Sequence, residues 1–238
     1  MTNEPTALLQ RQGPVAALTL NRPASSNALS MAMMGDLRKQ LAELRKDDSI
    51  WIVTVTGAGD RAFCAGADLK ERSTIPEEKI PEVLATIRGL MDDFAALPQP
   101  TIAVLNGHAL GGGCEMALAC DIRLLAPEAR IGLTETSLGI IPGAGGCVRL
   151  PRLVGLAKAK ELVLRARRLN AKEALRIGLV HEVADPGKIQ ELAEKYVSDL
   201  LRNGPLALRA AKQAMEGAWD LPLAEALEYE TRCYGQII

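Results

Sequence analysis

A run of glycines precedes a single carboxylate near the middle of the sequence. Residues 111–113 are all glycine, and Glu115 is the only charged residue in the apolar segment 114–120. Glycines directly before a helix leave backbone N–H groups exposed at the positive end of its dipole, where an anion or a developing oxyanion can bind. A buried lone carboxylate is costly unless it is paired or used. The pattern indicates an oxyanion site beside a catalytic carboxylate. A closely packed turn and a helix-terminal charge are the structural alternatives.

A second loop of small residues occupies positions 63–69, again just before a short helical pattern. Asp68 is a natural N-cap for that helix, because its side-chain oxygen can accept hydrogen bonds from the first free N–H groups. Two such loops can each offer one N–H group to the same carbonyl oxygen. That arrangement is an oxyanion hole.

Glu135 lies between an apolar segment and the glycine-rich stretch 139–146. A pair of carboxylates near one water molecule can act as general base and general acid if burial keeps their pKa values in the working range. Glu115 and Glu135 are candidates for such a pair. Their spacing does not by itself bring them together, and on sequence alone Glu135 is equally a surface charge.

Other chemistries lack their motifs. The glycine-rich stretch 143–146 does not have the GxGxxG order, and no GxxxxGK[ST] or GxSxG occurs. The two histidines leave little scope for a catalytic triad, and the five cysteines have no CxxC spacing that would suggest zinc or a disulfide framework.

Hydrophobic periodicity predicts alternating strands and helices, followed by a mostly helical part beyond Pro151. Repeated strand, strand, helix units of this kind indicate an α/β core. The expected strands are 15–20, 51–56, 101–105, 122–126 and 131–133, and residues 106–113 are expected to form a turn. The expected helices are 29–44, 77–97, 114–120, 157–167, 171–177, 186–202, 205–219 and 223–234.

Composition excludes several classes of function. The chain has 238 residues, of which 48% are apolar and 24% charged, and its net charge is −1. Such a chain has no overall field for collecting nucleic acid or an anionic membrane. We expect a cytoplasmic protein without a membrane span, because no apolar run is long enough and residues 1–12 do not resemble a signal peptide.

Four segments in order resemble the enoyl-CoA hydratase/isomerase family: FCAGADLKE (63–71), NGHALGGGCE (106–115), ACDIR (119–123) and GIIPGAGG (139–146). The resemblance implies the crotonase fold, an α/β spiral of ββα units with a helical C-terminal trimerisation region. It implies an acyl-CoA-binding core over residues 1–200 and an oligomerisation region over 201–238. A homotrimer or hexamer is expected.

The resemblance also implies roles for individual residues. The backbone N–H groups of Ala67 and Gly112 match the oxyanion hole, Glu115 the group that activates water, and Glu135 the proton donor. No metal or separate cofactor is implied, since coenzyme A is part of the acyl-CoA substrate. The residues that match the substrate-binding positions are Ala67, Asp68, Leu69, Lys70 and Gly112.

Possession of both glutamates favours hydration of an enoyl-CoA over isomerisation. Segments 64–72 and 118–123 also resemble the methylglutaconyl-CoA hydratase branch that binds AU-rich RNA, which makes RNA an alternative partner. The basic residues for it would be Arg38, Lys39, Arg45 and Lys46, but interleaved acidic residues favour a solvated helix face.

Two departures from the family pattern stand out. Cys147 and Val148 occupy positions where relatives usually carry Thr and Gln. Relatives also continue past the position of Ile238 into another helical segment, so the adenine end of the coenzyme is expected to be less enclosed.

Overall fold

Two β-sheets and a set of surrounding helices form the fold in the computed structural model, which describes residues 5–238. The strands are β1 Ala7–Gln12, β2 Val15–Leu20, β3 Ile52–Gly57, β4 Ala62–Cys64, β5 Thr101–Leu105, β6 His108–Leu110, β7 Ile122–Leu125, β8 Arg130–Gly132, β9 Leu169–Asn170 and β10 Glu182–Val183. The helices are α1 Met31–Leu44, α2 Leu69–Arg72, α3 Ile80–Ala95, α4 Gly112–Ala119, α5 Gly146–Val154, α6 Leu156–Leu164, α7 Ala171–Arg176, α8 Ile189–Leu201, α9 Pro205–Ala218 and α10 Leu223–Gly235.

The larger sheet has the order β1-β2-β3-β5-β7-β10, and the smaller sheet has the order β4-β6-β8-β9. Strands β2, β3, β5, β7 and β10 are parallel, whereas β1 pairs antiparallel with β2. The chain passes from a strand of the larger sheet to a strand of the smaller one and then into helix, as in β3-β4-α2 and β5-β6-α4. The expected α/β architecture of ββα units is therefore confirmed.

Helix α4 is buried along its whole length. Its side chains are apolar on every face except at Glu115, which is the pattern of a helix covered on all sides. Helix α1 instead has one buried stripe that includes Met33, Leu37 and Leu41, as its spacing predicts. Ser30 caps its N-terminus, because the Ser30 hydroxyl accepts a hydrogen bond from the N–H of Met33 at 3.2 Å.

Most expected elements are present, but two expectations are wrong. The expected turn 106–113 contains the strand β6, and α4 already begins at Gly112. Gly107 lets β6 pair with β4, since a Cβ at that position would clash with the backbone of Ala62. Helix α5 lies where no helix was expected, because the glycines before it and Pro151 within it weaken the helical pattern.

Helices α9 and α10 pack against each other, and polar contacts tie α9 to the core. Arg209 pairs with Asp48 at 2.6 Å, and the ammonium group of Lys212 lies 2.8 Å from Asp121 Oδ2.

No helix among residues 5–238 is long and apolar enough to cross a membrane. The division at residue 200 stays a prediction. Helices α9 and α10 expose several apolar side chains, namely Leu206, Met215, Leu223, Leu227 and Tyr234.

Candidate active site

A cavity of about 110 Å³ lies between the loop before α2 and the beginning of α4. It brings together the two glutamates expected to form a pair, Glu115 and Glu135. Ala67 and Gly112, expected to supply the oxyanion hole, line the same cavity. Apolar side chains of Leu69, Leu84, Ile87, Leu138, Ile140 and Ile141 complete much of the remaining wall.

The backbone leaves the N–H groups of Ala67 and Gly112 free for a ligand. Leu29 pairs with the loop before α2 through two backbone hydrogen bonds. Its N–H donates to the carbonyl of Gly66 at 2.8 Å, and its carbonyl accepts from the N–H of Asp68 at 3.0 Å. The N–H of Ala67 takes no part in this pairing. Gly112 is the first residue of α4, where an N–H group has no partner within the helix. A Cβ added at Gly112 would lie 3.7 Å from Ala67 N, so the two amides are neighbours.

The three residues after Ala67 differ in their relation to the cavity. Leu69 lines it, whereas Asp68 and Lys70 do not. Asp68 is the N-cap of α2, accepting from the N–H groups of Lys70 at 3.1 Å and Glu71 at 3.2 Å, and it also binds Arg22 at 2.9 Å. Burial acts to raise the pKa of Asp68, but these hydrogen bonds and the charge of Arg22 hold it below its ordinary value. Asp68 thus anchors the loop.

Glu115 is 3% exposed and has firm hydrogen-bond partners. Its Oε1 accepts from the N–H groups of Ala144 at 2.8 Å and Gly146 at 2.9 Å. Burial raises the pKa of Glu115 above its ordinary value, while those two N–H groups and the charge of Arg149 act to lower it. Burial is the strongest of these influences, so the pKa is raised overall, and the two N–H groups and Arg149 limit that rise.

Glu135 has a different environment, although it lines the same cavity. It begins a 3-10 turn, Glu135–Leu138, and no protein donor among residues 5–238 reaches its buried Oε2. Burial, helped by the negative charge of Glu115 and opposed by nearby backbone N–H groups, raises the pKa of Glu135 from 4.5 to about 7. Near neutral pH Glu135 can therefore carry a proton.

Arg149 lies beside the site although no local sequence pattern marks it. Its guanidinium binds the carbonyl of Ala144, next to Glu115, and also the carboxylate of Asp92 on α3. Asp92 and Arg149 are 57 positions apart, so no local pattern could have revealed their contact.

The described residues contain no cluster of three or more His, Cys, Asp or Glu side chains that could hold a metal ion. Burial raises the pKa values of the Cys64 and Cys120 thiols to about 12. Thiols with such pKa values are poor nucleophiles, so these cysteines serve as small buried side chains.

Comparison with known proteins identifies the family. The family model described as enoyl-CoA hydratase/isomerase matches residues 10–238. The chain belongs to this family. A crystal structure of an enoyl-CoA hydratase from Bacillus anthracis is 42% identical, with a TM-score of 0.94 over 97% of this chain and 90% of that one.

Two relatives carry more specific names. The short-chain-enoyl-CoA hydratase of Clostridium acetobutylicum is 38% identical over 96% of this chain and 88% of its own length. The mitochondrial methylglutaconyl-CoA hydratase of Mus musculus is 41% identical over 94% of this chain and 73% of its own length. Relatives named for two different substrates are thus about equally similar to this chain.

Proposed function

We propose that this protein is a hydro-lyase that adds water across the 2,3 double bond of an enoyl-CoA thioester. The observation that carries the proposal is the asymmetry of the two glutamates in one cavity. Glu115 accepts two backbone hydrogen bonds that act against the rise of its pKa on burial, whereas Glu135 has an unpartnered oxygen and a pKa of about 7. A base and an acid that share one cavity match the needs of hydration.

The reaction divides between the two carboxyl groups and the two free amides. Glu115 takes a proton from the water molecule while the water oxygen forms a bond to C3. The electrons of the double bond move toward the oxygen of the thioester carbonyl. The N–H groups of Ala67 and Gly112 stabilise the negative charge that develops on that oxygen. Glu135 then delivers a proton to C2. Proton exchange with solvent restores both carboxyl groups.

The cavity wall favours an acyl group without a charge of its own. Its lining contains no Lys, Arg or His, and its only ionisable side chains are Glu115 and Glu135. A second carboxylate, as on a methylglutaconyl group, would enter beside these two acids and without a counter-ion, which is costly. We therefore infer a hydrocarbon enoyl group as the substrate, in preference to methylglutaconyl.

Hydration of crotonyl-CoA tests the proposal directly. The reaction can be measured as the loss of absorbance of the conjugated double bond. Glu115→Gln and Glu135→Gln should each lower kcat by about 10²–10⁴-fold, because each removes one proton-transfer group. Glu128→Gln, at an exposed glutamate, is the matched control and should retain full activity. Wild-type turnover in either active-site variant would remove that glutamate from the mechanism.

A panel of thioesters distinguishes the related reactions. Crotonyl-CoA should exceed methylglutaconyl-CoA in kcat/KM by at least about tenfold, since leaving a charge unpaired in an apolar site costs more than 1.4 kcal/mol. A 3-enoyl-CoA tests isomerisation, which moves a double bond without incorporating water. Preference for methylglutaconyl-CoA, or efficient isomerisation without hydration, would overturn the assignment.

A further inference from the structure

The proposed base, Glu115, is held by a short backbone segment that belongs to another element. Both hydrogen bonds to its Oε1 come from residues 144 and 146, at the beginning of α5. The position of the carboxylate therefore depends on how well residues 144–146, here called the strap, are themselves fixed.

Arg149 binds the strap through its guanidinium group. Its Nη1 donates to the carbonyl of Ala144 at 3.1 Å, and its Nη2 donates to Asp92 Oδ1 at 2.8 Å. Ala144 is thus bound at both polar groups, with its N–H on Glu115 and its carbonyl on Arg149. A continuous chain of hydrogen bonds runs from α3 to the proposed base.

The backbone of the strap is shaped to admit the guanidinium. Gly145 has a φ of +106°, and a Cβ at this position would collide with Arg149 Nη1. A glycine is therefore required at 145 both for the backbone conformation and for the space that Arg149 occupies. Gly146 is equally constrained, because a Cβ there would lie 3.0 Å from Glu115 Oε1.

We propose that Arg149, anchored by Asp92, is a positioning residue that holds the strap in the geometry which orients the carboxylate of Glu115. The inference rests on the proposed function, because it assigns Glu115 the role of base. It adds two residues that do not line the cavity.

A purely structural tie between α3 and α5 is the competing explanation, and stability separates the two. Asp92 is 54% exposed and the Arg149 side chain 24% exposed, and ion pairs this accessible to solvent contribute little to folding. Loss of the pair should consequently leave the melting temperature almost unchanged. If the pair positions the base, loss of the pair should lower kcat, because small displacements of catalytic groups are costly.

Arg149 also acts on Glu115 through its charge. The groups that face Glu115 are Glu135, the thiols of Cys114 and Cys147, and Arg149, which is the cation of this set. Arg149 opposes the effect of burial on the pKa of Glu115. Its removal should move the acidic limb of the kcat/KM profile to higher pH, a change that a merely structural tie would not produce.

The experiment compares Arg149→Met, Arg149→Lys and Asp92→Asn with Arg88→Ala. Arg88 is the matched control, because it also contacts Asp92, at 3.7 Å, but does not reach the strap. We expect Arg149→Met to lower kcat about 10²-fold with KM nearly unchanged. Arg149→Lys, which cannot make both contacts in the same fork geometry, should recover only part of the loss. Arg88→Ala should match the wild type.

A double variant tests whether Asp92 acts through Arg149. The effects of Asp92→Asn and Arg149→Met on kcat should not add, since both break the same chain of contacts. Wild-type kcat and an unshifted pH profile in folded Arg149→Met would overturn the proposal while leaving hydration intact. Failure of the proposed function looks different: the wild type would not hydrate enoyl-CoA, or Glu115→Gln would remain active.

Discussion

The carboxylate of Glu135 lies directly against the backbone of Gly111, so that a Cβ at residue 111 would stand 3.3 Å from Glu135 Oε1. Gly111 has φ +53° and ψ −123°, a conformation that other residues rarely adopt. The same glycine lets the chain turn into α4 and leaves room for the proposed acid. One residue thus couples the path of the oxyanion loop to the position of Glu135.

Gly111→Ala should therefore impair both folding and catalysis. The unfavourable backbone conformation should cost about 1–3 kcal/mol of stability, and the new methyl group should displace Glu135 and lower kcat by at least about tenfold. Gly178→Ala is the matched control, since Gly178 has a φ of +73° but open space around its Cβ position. That variant should lose stability with kcat retained. Equal kcat in the two variants would contradict the coupling.

The raised pKa of Glu135 should appear as a dependence of stability on pH. Between its ordinary value of 4.5 and its folded value of about 7, the folded state binds more protons than the unfolded state, so stability falls as pH rises through this window. Glu135→Gln removes the penalty and should be more stable than the wild type at pH 8, by on the order of 1 kcal/mol. Below pH 4.5 the difference should vanish. Urea unfolding at the two pH values measures it, and identical pH dependence would contradict the assignment.

The same group should set the alkaline limb of activity. A proton donor with a pKa of about 7 loses its proton above that pH, so kcat/KM for crotonyl-CoA should decline there. The residual activity of Glu135→Gln should lack this limb, because glutamine does not titrate. A limb of unchanged position in that variant would assign the titration to another group.

RNA binding is expected to be weak. Two of the four basic residues on α1 and just after it that could bind RNA already have partners within the protein. Arg38 pairs with Asp93 of α3 at 2.6 Å, and Arg45 donates to the carbonyl of Ala96, just after α3, at 2.8 Å. Titration of labelled AU-rich RNA at two salt concentrations should give no submicromolar affinity. Tight binding with a steep salt dependence, lost in the variant of all four residues, would reverse this expectation.

Much of the site was predictable because its signals are local. The glycines before Glu115 mark an exposed helix start, and Asp68 marks the beginning of α2. Both features follow from what a few adjacent residues can do. The strand β2 and the strand β5 are likewise found at the expected positions, because apolar and β-branched residues there are bounded by clear turn residues.

Composition, periodicity and spacing do not show which distant segments meet; the pairing of Glu115 with Glu135 is implied only by the family resemblance. Strand β7 belongs to the larger sheet and β8 to the smaller one. The chain therefore crosses between the sheets and returns to the beginning of α4, where Glu135 lines the cavity. The hydrogen bonds of Glu115 to residues 144 and 146 span about thirty positions and depend on α5, a helix that its glycines and proline conceal. Pairing at such distances leaves no periodic pattern in the sequence.

Helices α9 and α10 expose apolar surface that one copy of the chain leaves uncovered. A cavity of about 360 Å³ between them is lined mainly by alanines and larger apolar side chains, including Leu227 and Tyr234. Leu227 is 55% exposed and Leu223 is 76% exposed. Apolar patches of this kind usually mark interfaces. We expect a homo-oligomer, a trimer or hexamer, with these helices at the contacts between subunits.

Sedimentation velocity over a range of dilution should show this oligomer for the wild type. Leu223→Glu and Leu227→Glu should shift it toward the monomer, because each would bury a charge without a partner at the interface. Leu164→Glu is the matched control: Leu164 is 73% exposed but lies on α6, which packs mainly against α5, so its substitution should leave the assembly intact. A wild type that sediments as a monomer, or equal dissociation in all three variants, would show that α9 and α10 do not form the interface.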